Sequence, residues 1–119
     1  MKSFGVVVWL CVWLRGPLKI FEGHRANIYG LCFNPTGTLL FSASGDKTMK
    51  VWEPHTGDLV NTFTGHTDAV SCVIATSNGV AITGSSDQSV KKWIINTATC
   101  VGTFSNFVIL FVIATFLCD

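Results

Sequence analysis

The middle of this chain repeats itself, and the period of the repeat limits the folds open to it more than any other feature. Phe21, Gly23 and His24 recur as Phe63, Gly65 and His66 at a spacing of 42, while Ser42, Asp46 and Trp52 recur as Thr83, Asp87 and Trp93 at a spacing of 41. The turn glycine Gly37 still recurs at 42, as Gly79, so the deleted residue falls just after it, where 38–41 is answered by 80–82. A deletion at the edge of a surface turn is of the kind folds tolerate. Repeats of this length are single supersecondary units that bury their apolar faces only by stacking on neighbours.

Each unit divides into short segments rich in β-branched and aromatic residues and bounded by turn chemistry, which predicts strands. In the first unit they fall at 28–33, 39–44, 48–52 and 59–63, separated by Asn34-Pro35-Thr36-Gly37, Gly45-Asp46-Lys47 and Pro54-His55-Thr56-Gly57. In the second they fall at 70–75, 80–84, 89–94 and 99–104. No stretch of the middle has helical periodicity, so the expected class is all-β, with two four-stranded antiparallel meanders.

The order Gly-His, a strand pair, then Ser-Ala-Ser-Gly-Asp-Lys-Thr and Val-Trp resembles the WD repeat over residues 18–104. Units of that family run to about 40–45 residues and each supplies the four strands of one propeller blade. Neither unit carries the eponymous Trp-Asp pair, since Glu53 follows Trp52 and Ile94 follows Trp93. The resemblance implies a side-chain network in each blade. Trp52 would donate its indole N–H to Ser42, Ser42 would bond His24, and Asp46 would accept from the other ring nitrogen of His24 and from turn amides. Trp93, Thr83, His66 and Asp87 would form the second network.

A Ser, a His and an Asp together also raise the possibility of hydrolysis, with Ser42 as nucleophile and His24 as its base. The arrangement occurs twice, however, and no G-x-S-x-G turn presents either hydroxyl, so cross-ties explain the duplication and no catalytic residue is expected. His24, His55 and His66 lie far apart and lack ligand-spaced partners, so neither metal nor cofactor is expected. Lys47, Lys50, Lys91 and Lys92 read as solvent-facing positions. Lys92 is awkward, because strand alternation puts it where the first unit has Val51, in or near the packing between blades. Either the second blade packs less well or this lysine reaches an acidic partner.

Propellers close radially with about 4–8 blades, so two blades make an incomplete propeller. Further blades are expected from copies of the chain, from other chains, or from a longer parent of which this is a truncated product. Residues 18–21 align with 60–63 as the outer strand of a preceding blade, and the spacing of 14 from Trp9 to Gly23 is close to the 13 from Trp52 to Gly65. After Phe104 the next Gly-His is missing. The expected divisions are 1–17, an apolar N-terminal segment, 18–104, the two repeats, and 105–119, an apolar tail.

Within the flanks, residues 4–14 (FGVVVWLCVWL) and 107–118 (FVILFVIATFLC) are apolar runs of 11 and 12 residues. Both are shorter than the roughly 20 residues a membrane-crossing helix requires. The first lacks a small-residue cleavage site, and the second, dominated by Val, Ile and Phe, reads as a buried strand. Five scattered cysteines with no C-x-x-C pair point to reduced thiols and the cytoplasm. A net charge of +1 provides no field for nucleic acid.

These features predict a non-catalytic scaffold or adaptor that binds other proteins through its loop face. The family resemblance places contact positions at Asn27, Tyr29, Gly45, Ala69, Ser71 and Ser86, with Tyr29 the anchor because aromatics dominate binding hot spots. The Trp-x-x-Arg ending of repeats recruited to cullin ubiquitin ligases is absent, with His55 and Asn96 in place of Arg. The alternative is a membrane-associated or secreted short product governed by its apolar ends.

Overall fold

A computed structural model describes residues 4–8 and 19–105 of the 119. The described residues are all-β, with ten strands in three antiparallel sheets. Strands β3 (Ile28–Phe33), β4 (Leu40–Ser44), β5 (Met49–Trp52) and β6 (Leu59–Phe63) form one sheet in sequential order. Strands β7 (Val70–Ala75), β8 (Val80–Ser85), β9 (Val90–Ile94) and β10 (Thr99–Phe104) repeat it. Preceding both is a two-stranded pair, β1 (Phe4–Val8) with β2 (Lys19–His24).

The four-stranded meanders agree with the sequence reading, and their bounds differ from it by a residue for local reasons. Leu39 stays outside β4 because its amide donates to Asn34 Oδ1 at 3.0 Å, closing the turn instead of joining the ladder. Thr48 and Ser89 stay outside β5 and β9 because their amides donate to Asp46 Oδ1 and Asp87 Oδ1, at 3.0 and 2.9 Å. β1 is an addition: the head of the N-terminal apolar run is a strand paired with β2. In the backbone ladder Val6 pairs with Phe21 as Met49 pairs with Phe63, so β1–β2 reproduces the register of the outer two strands of a blade. The rest of that run and the reading of 107–118 as a strand lie outside the described residues.

Strand alternation sends the two faces of β4 in opposite directions, and both are covered, so all five of its residues are buried. Leu40 packs with Phe21 and Trp52 towards β2. Phe41 and Ala43 join Met49, Val51 and Phe63 of the same blade and Val70, Val73, Ala81 and Trp93 of the next in one apolar core. The core thus lies between the blades, as a stacked-repeat architecture requires. Gly30 permits this approach, since a Cβ there would lie 3.3 Å from the backbone of both Ser71 and Cys72. The aromatic joint also repeats: Phe21 meets Trp52 edge-on at 5.7 Å between centroids, and Phe63 meets Trp93 at 5.6 Å.

The second blade lacks a described neighbour on its far side. There Lys92, aligned with the fully buried Val51, is exposed and makes no ion pair among the described residues. Its charge therefore stays in solvent, and the blade carries no buried lysine.

Candidate functional site

The polar residues singled out by the repeat come together at two equivalent places. In the first blade, Trp52 Nε1 donates to Ser42 Oγ at 2.8 Å, and Ser42 Oγ lies 2.6 Å from His24 Nε2. His24 Nδ1 lies 2.8 Å from Asp46 Oδ2. A carboxylate only accepts, so the ring carries its proton on Nδ1, and Nε2 accepts from the Ser42 hydroxyl. Asp46 also accepts from the amides of Arg25 and Thr48 and, at 2.6 Å, from the Thr48 hydroxyl.

The second blade has the same set: Trp93 Nε1 donates to Thr83 Oγ1 at 2.9 Å, with His66 Nε2 at 2.7 Å from that hydroxyl and His66 Nδ1 at 2.8 Å from Asp87 Oδ2. Thr67 N donates to Asp87 Oδ2, and the Ser89 amide and hydroxyl donate to Asp87 Oδ1. Among the described residues no buried side-chain nitrogen or oxygen lacks a partner. This is the condition under which a buried polar network strengthens a core instead of weakening it.

The electrostatics come from the same contacts. Burial pushes His24 and His66 below the usual imidazole range, and the bond and charge of Asp46 or Asp87 only partly oppose it, so both rings stay neutral. For Asp46 burial works upward, yet the bonds from Thr48, His24 and the Arg25 amide outweigh it and bring the carboxyl down to about 2. Asp87 moves further in the same direction for the same reasons. Ser42 is wholly buried, with its lone pairs and proton engaged by Trp52 and His24, so no substrate reaches it.

Four participants escaped the sequence reading. Thr48 and Ser89 complete the carboxylate clamps, and Ser44 and Ser85 tie the turns down. Ser44 Oγ accepts from the Asp46 amide at 3.1 Å and donates to Asn27 O at 3.0 Å, while Ser85 Oγ joins Asp87 N at 3.1 Å to Ala69 O at 2.8 Å. Their signal was present, since Thr48 with Ser89 and Ser44 with Ser85 share the spacing that relates Ser42 to Thr83.

The proposed contact positions sit beside these clamps. Gly45 N donates to Asn27 O at 2.8 Å, and Ser86 N donates to Ala69 O at 2.9 Å, so each pair is drawn together by backbone. Tyr29 is 56% exposed, and a Cβ at Gly45 would lie 3.2 Å from its ring. Asn27, Ser71 and Ser86 are exposed, and Gly45 and Ala69 are partly so. Asn27, Tyr29 and Gly45 thus form one group, and Ala69 and Ser86 another; Ser71 is held separately by a bond from its hydroxyl to Gly84 O at 3.2 Å. Among the described residues no three His, Cys, Asp or Glu side chains gather as a metal site would need, and no helix is long and apolar enough to cross a membrane.

Comparison with known proteins points the same way. Over 89 residues the chain is 35% identical to eukaryotic translation initiation factor 3 subunit I of Meyerozyma guilliermondii, covering 74% of this chain and 25% of that protein. It is 38% identical over 99 residues to coatomer subunit beta'-1 of Arabidopsis thaliana, covering 80% of this chain and 10% of that one. It is 35% identical over 92 residues to COMPASS component SWD3 of Saccharomyces cerevisiae, covering 76% and 29% respectively. The chain therefore spans between a tenth and three tenths of the length of these relatives. The family described as WD domain, G-beta repeat matches residues 15–53 and 57–93, and with two copies of the blade and its polar network in place, the chain belongs to the WD-repeat family.

Proposed function

We propose that the chain is a non-catalytic scaffold that holds partner proteins on the loop face formed by Asn27, Tyr29, Gly45, Ala69, Ser71 and Ser86. The observation that carries this reading is Tyr29, a half-exposed aromatic laid over Gly45 beside a backbone tied by Ser44. An aromatic already held in place loses little entropy on binding, which is what a hot spot needs. The relatives are named as a subunit or component of larger assemblies, which fits a protein whose partners are other proteins. The eight network residues, His24, Ser42, Asp46, Trp52, His66, Thr83, Asp87 and Trp93, act in this reading as supports for that face.

The unit that performs this role is 18–104, with 1–17 and 105–119 as flanks and further blades supplied by a longer chain or an oligomer. Free thiols at Cys32, Cys72 and Cys100 fit a cytoplasmic setting. The test is quantitative cross-linking of partners to the full chain against Tyr29→Ala, with Val60→Ala on the outer strand β6 as the control. Loss of an anchor is expected to weaken a genuine partner about tenfold or more, corresponding to ~1.4 kcal/mol. Partners captured equally by all three proteins would remove Tyr29 from the contact surface and this reading with it.

A further inference from the structure

On the N-terminal side of the first blade, strand pairing stops halfway through a blade. In the backbone ladder Val8 pairs with Lys19 as Val51 pairs with Asn61, so β1 and β2 hold the places that β5 and β6 hold in the first blade. The two inner places, held in that blade by β3 and β4, are filled by nothing among the described residues, and the edge of β1 away from β2 is open. An open edge presents a row of unpaired N–H and C=O groups, which is a template for another strand.

The first blade is short of cover at the same place. Its outer half is closed by β2, where Phe21 packs with Leu40 and Trp52. In the joint between the two complete blades the inner strands β3 and β4 lie against β7 and bury Val70 and Val73. The β3 residues in step with Val70, Val73 and Ala75 are Ile28, Leu31 and Phe33. Leu31 is 45% exposed where Val73 is 3% exposed, and Phe33 is 38% exposed. Phe33 pairs with Leu40, and Leu40 with Trp52, so these three share the face of the sheet that meets β2. Leu31, two residues from Phe33 along β3, is on that face as well. The open edge of β1 and the uncovered apolar face of β3 therefore belong to one gap, the place of a missing inner strand.

We propose that the half-blade β1–β2 takes up an extended segment of a partner protein, which adds as a strand to the open edge of β1 and lays apolar side chains on Leu31 and Phe33. Main-chain bonds supply affinity in this mode, and alternate side chains supply selectivity. The chemistry of the segment follows from β4, which fills the same place beside β5. Phe41 and Ala43 of β4 pair with Val51 and Met49 and are turned to the next blade. The partner segment accordingly runs antiparallel to β1 and carries a bulky and a small apolar residue two apart, the bulky one paired with Val8 and the small one with Val6. A strand added to β6 or β10 would be a fifth in its sheet, away from Leu31 and Phe33. The inference goes beyond the scaffold reading, because it concerns a strand edge and not the loop face, and it stands if Tyr29 proves to anchor nothing.

The test uses the full chain and a synthetic peptide with the sequence of residues 37–45, GTLLFSASG, which carries the pattern of β4. Binding is followed by fluorescence anisotropy of the labelled peptide, and its place by hydrogen–deuterium exchange of the chain. The peptide is expected to slow exchange within 4–8 by about tenfold or more while leaving 99–104 unchanged. Leu31→Asp should weaken binding by about tenfold or more, whereas Val101→Asp, an exposed position on β10, should bind as the wild type does. Near-ultraviolet circular dichroism verifies that Trp52 and Trp93 stay ordered in both variants, and the exchange pattern of the wild type decides the matter if Leu31→Asp unfolds. No protection of 4–8, equal protection of 99–104, or equal binding by Leu31→Asp and Val101→Asp overturns the proposal. Complete protection of 4–8 before peptide is added also overturns it, in favour of a segment of the same chain where the protection is independent of protein concentration and of a second copy where it grows with concentration.

Discussion

At the scale of single residues, the proton inventory of the two networks sets how the fold responds to acid. Asp46 titrates at about 2 in the folded chain against an ordinary 3.8, so its contribution is present above 3.8 and is lost as the pH falls from there towards 2. His24 and His66 are lowered from 6.5, so below 6.5 protons bind the unfolded chain preferentially and stability falls again with acid. The two effects have the same sign, and the onset belongs to the histidines. Thermal melts from pH 7.5 to 3 should show a midpoint that starts to drop near 6.5 and drops further below 4. A midpoint that rises towards pH 5 would mean that the rings are charged in the folded state. Ser42→Ala tests the network directly, since it strands the Trp52 N–H and His24 Nε2. It should cost about 1–3 kcal/mol in urea unfolding, whereas Ser42→Thr, which copies Thr83, should be nearly neutral.

At the scale of elements, the turns show where residue type and backbone disagree. Lys47 and Gln88 adopt φ of 75° and 68° at equivalent places, although neither residue favours the left-handed region. The paired clamp of Asp46 on Thr48 and of Asp87 on Ser89 holds the chain there, a cause that lies in side-chain contacts and leaves no mark on Lys47 itself. The last turn differs between blades: Gly57 has φ of 80°, and Ala98 in its place has φ of 54°. Ala98→Gly should therefore stabilise the β9–β10 turn, by about 0.5–1 kcal/mol after the added freedom of the unfolded chain is subtracted. Chemical denaturation of the two proteins side by side checks it, and a destabilised variant would show that Ala98 is unstrained.

Across the whole molecule, stability resides in the joint between blades. Phe63 is buried against Trp93, so Phe63→Ala should cost about 3–5 kcal/mol and loosen both blades together. Phe104→Ala, the same change at a half-exposed position, should cost roughly half as much or less, in proportion to the area it removes from contact. Equal costs, measured by denaturant midpoints, would mean that each blade is stable by itself. This asymmetry was only partly legible beforehand. Recurrence of Gly-His, Asp and Trp marked the repeat unit, turn residues and β-branched runs marked its strands, and the resemblance to the WD repeat implied how the eight network residues pair, because each repeat must satisfy the same buried polar groups locally. It also marked Lys92 as exceptional, but not how the lysine is accommodated. Its exposure, the pairing of β1 with β2, the clamps from Thr48 and Ser89, and the half-exposed Phe104 were decided by the tertiary structure. The physical reason is that periodicity records which side chains share a face, whereas burial depends on whether a neighbour packs against that face.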